Sequence, residues 1–438
     1  MDLDDFDTFR IATCDLNGQM RGKRMPQKDQ GKLASGDLRM PLSVLNVDIW
    51  GADIANSPLL FASGDGDGYL LPTNRGPVPM PWLDQPSALV GMWMFEEDGR
   101  PFEGDPRHAL AQILDRYAAR GWQVVAATEL EFYLIDDSAE SPRPPKDPAS
   151  NRKIDSSAIL SLQQLDAFEA FFSELYQSCA QMGINAQAAS SEAGIGQFEI
   201  SLQHGDALRI ADDTWLFKTL LKGVARKHGY AASFMAKPYP NDAGNGLHLH
   251  FSVLDEAGEN IFDDGTKQGS PLLQNAVAGC LATMRAATLG FAPHANSYAR
   301  MDPENHAPTS ICWGYENRTA ALRIPAGAPR ARRIEHRVAG GDINPFLTLS
   351  LILGAALLGI EDDLTPPPPI TGNAYSQDLP QLIHSWSDAI DMFENDPMVA
   401  RILPAQLIEN FSLTKRQELD GLKNIPQEEH WKTYLETV

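Results

Sequence analysis

Apolar and polar positions along the 438-residue chain follow two periods, and the changes between them outline the elements. In GDPRHALAQILDRYAARG, Ala109, Leu110, Ile113, Leu114 and Tyr117 recur at helical spacing, with Asp105 placed to cap, Pro106 suited to the first helical position and Gly121 to the end. The run WQVVAATELEFYLI then reads as a strand, and a proline-rich loop near 138–150 separates it from a helix predicted over about 161–182. A pair of strand-like runs at 184–203, a helix at about 213–228 and a strand at 246–254 continue the order. Upstream, ATCDLNGQMRGKRMP predicts a hairpin, and SPLLFASGDGDGYLLP and SALVGMWMFEEDGRPF supply further strand-like runs. Asp65-Gly-Asp67-Gly reads as a turn, because the ligands a calcium loop needs do not follow it. Phe346 to Ile360 is the longest apolar stretch; it is too short to span a bilayer and predicts a buried helix. TPPPPI at 365–370 is a stiff connector to two or three terminal helices. We place a domain boundary between 1–104 and 105–438.

Composition changes this picture little: 43% apolar, 8% aromatic and 21% charged residues describe an ordinary globular chain. Charge excludes more, since 36 basic against 58 acidic side chains leave −22, which repels nucleic acid and anionic membranes. The acidic start, MDLDDFDTFR, does not resemble a secretory or transit peptide. Cys14, Cys179, Cys280 and Cys312 have neither CxxC nor zinc spacing, which fits reduced thiols in the cytoplasm and no disulfide framework.

The chemistry lies in short strand segments. Glu129 and Glu131 stand two apart in an apolar run, so a strand turns both carboxylates to one face. SSEAGIGQFEI carries Glu192 and Glu199, AGNGLHLHFSV sets His248 and His250 two apart after a glycine loop, and RRIEHRV spaces Glu335 and Arg337 the same way. Carboxylates and imidazole without thiolate suit magnesium or manganese and disfavour structural zinc. Arg300, Arg318, Arg323, Arg333 and Arg337 fall in runs with glycine and proline, and forked cations of this kind recognise phosphate or carboxylate. Metals with arginines point to phosphoryl transfer.

The succession TELEF (128–132), EAGIGQFE (192–199), KPYPNDAGNGLHLHFS (237–252), NSYAR (296–300), WGYENRTAALRIP (313–325) and ARRIEHR (331–337) resembles the glutamine synthetase family in content and order. The resemblance implies an α+β fold with a small N-terminal β-grasp domain and a large catalytic α/β domain with a curved antiparallel sheet. It implies a homo-oligomeric ring, such as a dodecamer, with sites between subunits. Carried over, Glu131, Glu192 and Glu199 would ligate a metal near the amino-acid substrate, and Glu129, His248 and Glu335 a metal on the ATP phosphates. Two or three Mg2+ or Mn2+ ions per site are implied. Glu131, Gly244, His248, Arg300 and Arg337 would bind glutamate, and His250, Ser252, Arg318, Arg323 and Arg333 would bind ATP. Arg300, Arg318, Arg337 and His306 would serve catalysis. In the family, ATP phosphorylates the γ-carboxylate of glutamate and an amine then displaces phosphate.

Departures concern the amine. Where true glutamine synthetases carry a glutamate before Ala-Pro, MDPENHAP has His306, and RMPLSVLNVDIWG stands where the family has Asp-Gly-Ser-Ser. An ammonium ion needs negative charge and must lose a proton before it attacks. Loss of both acids therefore implies another nucleophile and resembles the γ-glutamyl-amine ligases, which act on polyamines such as putrescine or on small alkylamines. Asp302, Glu304, Asp48 or Asp53 are candidates for substitute charge. Glutamine synthetase proper and a non-catalytic relative are the alternatives. Ala243 replaces a usual asparagine, and Tyr375 lies near the family's regulatory tyrosine, although its context does not favour adenylylation.

Overall fold

Strand periodicity closes into two sheets in the computed structural model, which describes residues 3–61, 64–303 and 307–438. The first holds β1 (Thr8–Cys14), β2 (Met20–Pro26), β3 (Arg39–Pro41), β4 (Asp67–Pro72), β5 (Val78–Pro79) and β6 (Ser87–Phe95). Its order is β2-β1-β6-β4-β3, with β5 also on β6, and only the β1–β6 pair is parallel. β1 and β2 form the predicted hairpin, and Gly18 takes the left-handed φ of 79° that its loop requires. Pro58–Phe61, expected in a strand, is instead a helical turn; Asp65 turns the chain at φ 56° just before β4.

The second sheet holds β7 (Gln123–Ile135), β8 (Ala186–Ser191), β9 (Gln197–Leu202), β10 (Gly205–Asp206), β11 (Ala231–Ser233), β12 (Leu247–Leu254), β13 (Trp313–Tyr315), β14 (Leu322–Ile324) and β15 (Ile334–His336). Its order is β13-β14-β15-β12-β7-β9-β8, with β10 and β11 on β7, and it is antiparallel except at β13–β14.

Helices cover the apolar face of this sheet. Pro106–Ala118 begins as read, the Asp105 side chain accepting from the Arg107 amide. The helix expected at 161–182 breaks at Phe168 into Leu162–Ala167 and Glu169–Met182. The one expected at 213–228 runs from Ala207 to Lys227, because Asp206 caps it by accepting from the Arg209 amide at 3.1 Å. Pro345–Glu361 is buried along nearly all its length and crosses Pro271–Met284 at Gly279 and Gly359. A Cβ on Gly279 would lie 2.1 Å from the Ala355 carbonyl, and one on Gly359 2.1 Å from that of Asn275, so the crossing admits no side chain at either position. Four terminal helices follow rather than two or three: Trp386–Asn395, Pro397–Ile402, Ala405–Leu422 and His430–Tyr434. The proline connector is held by the Trp313 indole, which donates to the Pro367 carbonyl at 2.7 Å. All four cysteines are buried thiols. Among the described residues no helix is long and apolar enough to cross a membrane.

Candidate active site

Alternation along β7 sends Val124, Ala126, Thr128, Leu130 and Phe132 into the core and leaves Glu129 and Glu131 on the opposite face. Register does the rest. His248 on β12 stands opposite Glu129, and Glu199 on β9 opposite Glu131. On the far side of β12, His250 stands opposite Glu335 of β15, which is also paired in register with Arg323 of β14. Directly opposed residues share a face, so adjacent strands collect carboxylates and imidazoles from distant parts of the chain.

Glu129 is the common member. One of its oxygens lies 3.2 Å from His248 Nδ1 and the other 3.1 Å from His250 Nε2. His250 Nε2 is buried and lacks the alignment of a hydrogen bond, while its Nδ1 accepts from Arg333 at 3.2 Å. Among the described residues, two groups have donor atoms within 4.8 Å of one another: Glu129, Glu199 and His248, and Glu129, His250 and Glu335. Carboxylate oxygen, imidazole nitrogen and an orphaned buried nitrogen form a donor set that fits a hard divalent cation.

Electrostatics point the same way. Burial and then the neighbouring carboxylates Glu129, Glu131 and Glu192 push Glu199 up to about 9. Burial and then Glu131 push Glu192 up to about 7. Burial opposes ionisation of Glu129 too, but the adjacent imidazoles of His248 and His250 outweigh it and hold that carboxyl below its ordinary range. Glu335 is likewise held low against burial, with Arg337 the largest opposing influence. Uncompensated carboxylates beside ionised ones favour binding of a cation.

Two cavities meet at Glu129. The larger, about 1110 Å3, is lined by Glu131, Glu192, Glu199, Gly244, His248, Arg300, Arg318 and Arg337 among others. The smaller, about 630 Å3, is lined by His250, Ser252, Arg330 and Arg333. Arg323, expected on ATP phosphates, donates to Glu335 at 2.8 Å, and Arg337 pairs with the same carboxylate. Glu131, expected on a metal, accepts from the Gly246 amide at 2.5 Å. Gly244 has no room for a Cβ, which would lie 2.7 Å from both the Ala236 carbonyl and Arg300 Cγ. Asp342 accepts from Ser297 at 2.6 Å beneath the short helix Ala295–Arg300, and Arg300 reaches the Val338 carbonyl at 2.8 Å.

Of the substitute acids, Asp302 lines the larger cavity. Asp48 does not; it accepts from the amides of Trp50 and Ala52 and from Gln417. Asp53 also lies outside the cavity lining, while Glu304 and His306 lie outside the described residues. Sequence reading missed Gln197, which is buried and donates at 3.0 Å to both the Gly244 carbonyl and Asn245 Oδ1, fixing the glycine loop. It also missed Lys237, Ile159 and Leu160, and it weighed Tyr375 only as a regulatory residue, whereas all four line the larger cavity. The one signal for Ile159 and Leu160 was an apolar pair inside a serine-rich loop.

Fold and site together define a two-cavity enzyme centred on carboxylates, and residues 103–434 match the family described as glutamine synthetase, catalytic domain. The chain belongs to the glutamine synthetase family, whose members are ATP-dependent ligases. It is 35% identical to the gamma-glutamylputrescine synthetase of Escherichia coli, over 93% of this chain and 87% of that one. It is 30% identical to the gamma-glutamylethanolamide synthetase of Streptomyces coelicolor, over 95% and 90% of the two chains. A solved structure described as a novel glutamine synthase homolog superimposes with a TM-score of 0.86 at 26% identity, covering 99% of each chain.

Proposed function

We propose that this protein is an ATP-dependent γ-glutamyl-amine ligase, joining the γ-carboxylate of glutamate to a polyamine such as putrescine or to a small alkylamine. The observation that supports it best is the pair of cavities sharing Glu129, one rich in arginine and carboxylate and one bordered by His250, Ser252 and Arg333. ATP lies in the smaller and glutamate in the larger, held by Arg300 and Arg337 with Gly244, while Arg318 and Arg333 neutralise phosphate oxygens. The γ-carboxylate attacks the terminal phosphorus as the bond to ADP breaks; the amine, having given its ammonium proton to a cavity carboxylate, then bonds to the acyl carbon as phosphate leaves, and the second proton of the new amide nitrogen passes to solvent. Glu129, Glu131, Glu192, Glu199, His248 and Glu335 would hold Mg2+ or Mn2+, with His250 beside Glu129 and Glu335. Such a cation, when bound, supplies charge neutralisation on the transferring group. A homo-oligomeric ring, a cytoplasmic location and a division of the chain at 104/105 complete this reading.

The family's own name favours a second reading, a glutamine synthetase using ammonia. Phosphate release with ATP, magnesium and glutamate separates the two. We expect kcat/KM for at least one of putrescine, cadaverine, spermidine, methylamine, isopropylamine or ethanolamine to exceed that for ammonium about tenfold or more, the scale of one good specificity contact. Turnover with ammonium alone would establish the second reading, and no turnover with any nucleophile would indicate a non-catalytic relative.

A further inference from the structure

Among the described residues, five large apolar side chains are exposed, and the three most exposed sit within four positions of each other: Ile159 at 64%, Leu160 at 71% and Leu162 at 73%. Ile159 and Leu160 line the larger cavity. The rest of that lining mixes acids, bases and neutral residues, and Asp242 and Asp302, carboxylates outside the proposed metal ligands, are placed to draw a cationic amino group.

The segment is held in place. Leu160 has φ +59°, a left-handed conformation that a branched side chain rarely adopts. Ser191 keeps it there. The Leu160 amide donates to the Ser191 carbonyl at 2.8 Å and the Ser161 amide to Ser191 Oγ at 2.7 Å, while that hydroxyl lies 3.0 Å from the Ala158 carbonyl. The neighbours of Ser191, Ser190 on β8 and Glu192 just past its end, line the same cavity, and Ser190 donates to Glu192 at 2.9 Å. A strained backbone that turns apolar groups toward a charged cavity is expected at a functional site.

We propose that Ile159 and Leu160 form the apolar wall that receives the hydrocarbon chain of the amine nucleophile, making the substrate an aliphatic primary amine rather than ammonium. This rests on the amine-ligase reading above and adds its specificity element. The cationic nitrogen is drawn in by Asp242 and Asp302, and each methylene beyond the first gains contact with the wall.

The test is a chain-length series of methylamine, ethylamine, propylamine and butylamine, with ammonium as reference, on the full-length protein. The wild type is expected to gain about fourfold in kcat/KM for each added methylene, the scale set by burying one such group. In Ile159→Ser and in Leu160→Asn the gain per methylene falls toward unity, while KM for glutamate and ATP and the turnover with ammonium stay unchanged. Asparagine tolerates left-handed φ, so Leu160→Asn retains the turn and its melting temperature is equal to or above that of the wild type. A wild type whose amine series is flat, or variants that keep its slope, would overturn the proposal. So would variants whose oligomeric mass or glutamate KM changes along with the slope, since the segment would then be a subunit seat or a structural element. Failure of every amine with the wild type is a different result, which removes the amine-ligase reading and this inference with it.

Discussion

Glu129→Gln is expected to lower kcat for phosphate release by about a thousandfold, with the fold intact. The substitution keeps size and removes charge at the one side chain, among the described residues, that belongs to both cation-compatible groups and borders both cavities. The neighbouring imidazoles hold this carboxyl ionised against burial, so the wild-type side chain presents a fixed negative charge between His248 and His250. Removing a preorganised charge from a half-buried site costs more in the transition state than the same change in water. Steady-state turnover and Mn2+ titration by calorimetry check it, with thermal melting as the control for folding. Activity within tenfold of the wild type, at unchanged metal affinity, would remove Glu129 from the centre of the site.

The second large effect is on stability. Lys415 and Glu418, on the helix Ala405–Leu422, are fully buried and paired at 2.9 Å. Asn17 of the N-terminal hairpin loop donates to Glu418 at 2.8 Å and also accepts from Lys415, and His294, the cap of the helix bearing Arg300, lies 3.5 Å from the Lys415 ammonium. Lys415→Met would strand the Glu418 charge in the core, and breaking one side of a buried pair costs about 3–5 kcal/mol. The double variant Lys415→Met with Glu418→Leu is expected to recover at least half of that loss, which urea unfolding of the three proteins measures. Burial alone would raise the Glu418 carboxyl, but Lys415 and then His294 hold it below the ordinary 4.5. A depressed carboxyl contributes stability that is present above 4.5 and lost as pH falls through the lower folded value. Acidification should therefore destabilise the wild type more than Glu418→Gln. A double variant that loses as much stability as Lys415→Met or more would show that no stranded charge had been relieved, and would overturn this expectation.

Local rules of the backbone made much of this protein legible in its sequence. Strand period two is a property of the backbone itself, so Glu129 with Glu131, His248 with His250, and Glu335 with Arg337 declared a shared face before any strand was placed. The start of Pro106–Ala118 and the burial of Pro345–Glu361 were equally local, the first set by a cap and a proline and the second by an unbroken apolar run. Helix boundaries at Phe168 and Asp206 were less legible, because capping and packing there compete with weak propensity.

Tertiary structure alone decided which strands are neighbours. The order β15-β12-β7-β9 brings Glu335, His250, His248, Glu129, Glu131 and Glu199 together, and no periodicity within one strand specifies its partner. It likewise set Arg323 on Glu335, put Asp48 to work within its own loop, and turned Ile159 and Leu160 toward the larger cavity. The buried triad of Asn17, Lys415 and Glu418 spans 401 positions between Asn17 and Glu418. The physical reason is the same in each case: side-chain direction follows from dihedral angles a few residues long, whereas register and burial depend on the free energy of contacts between segments that sequence distance does not encode.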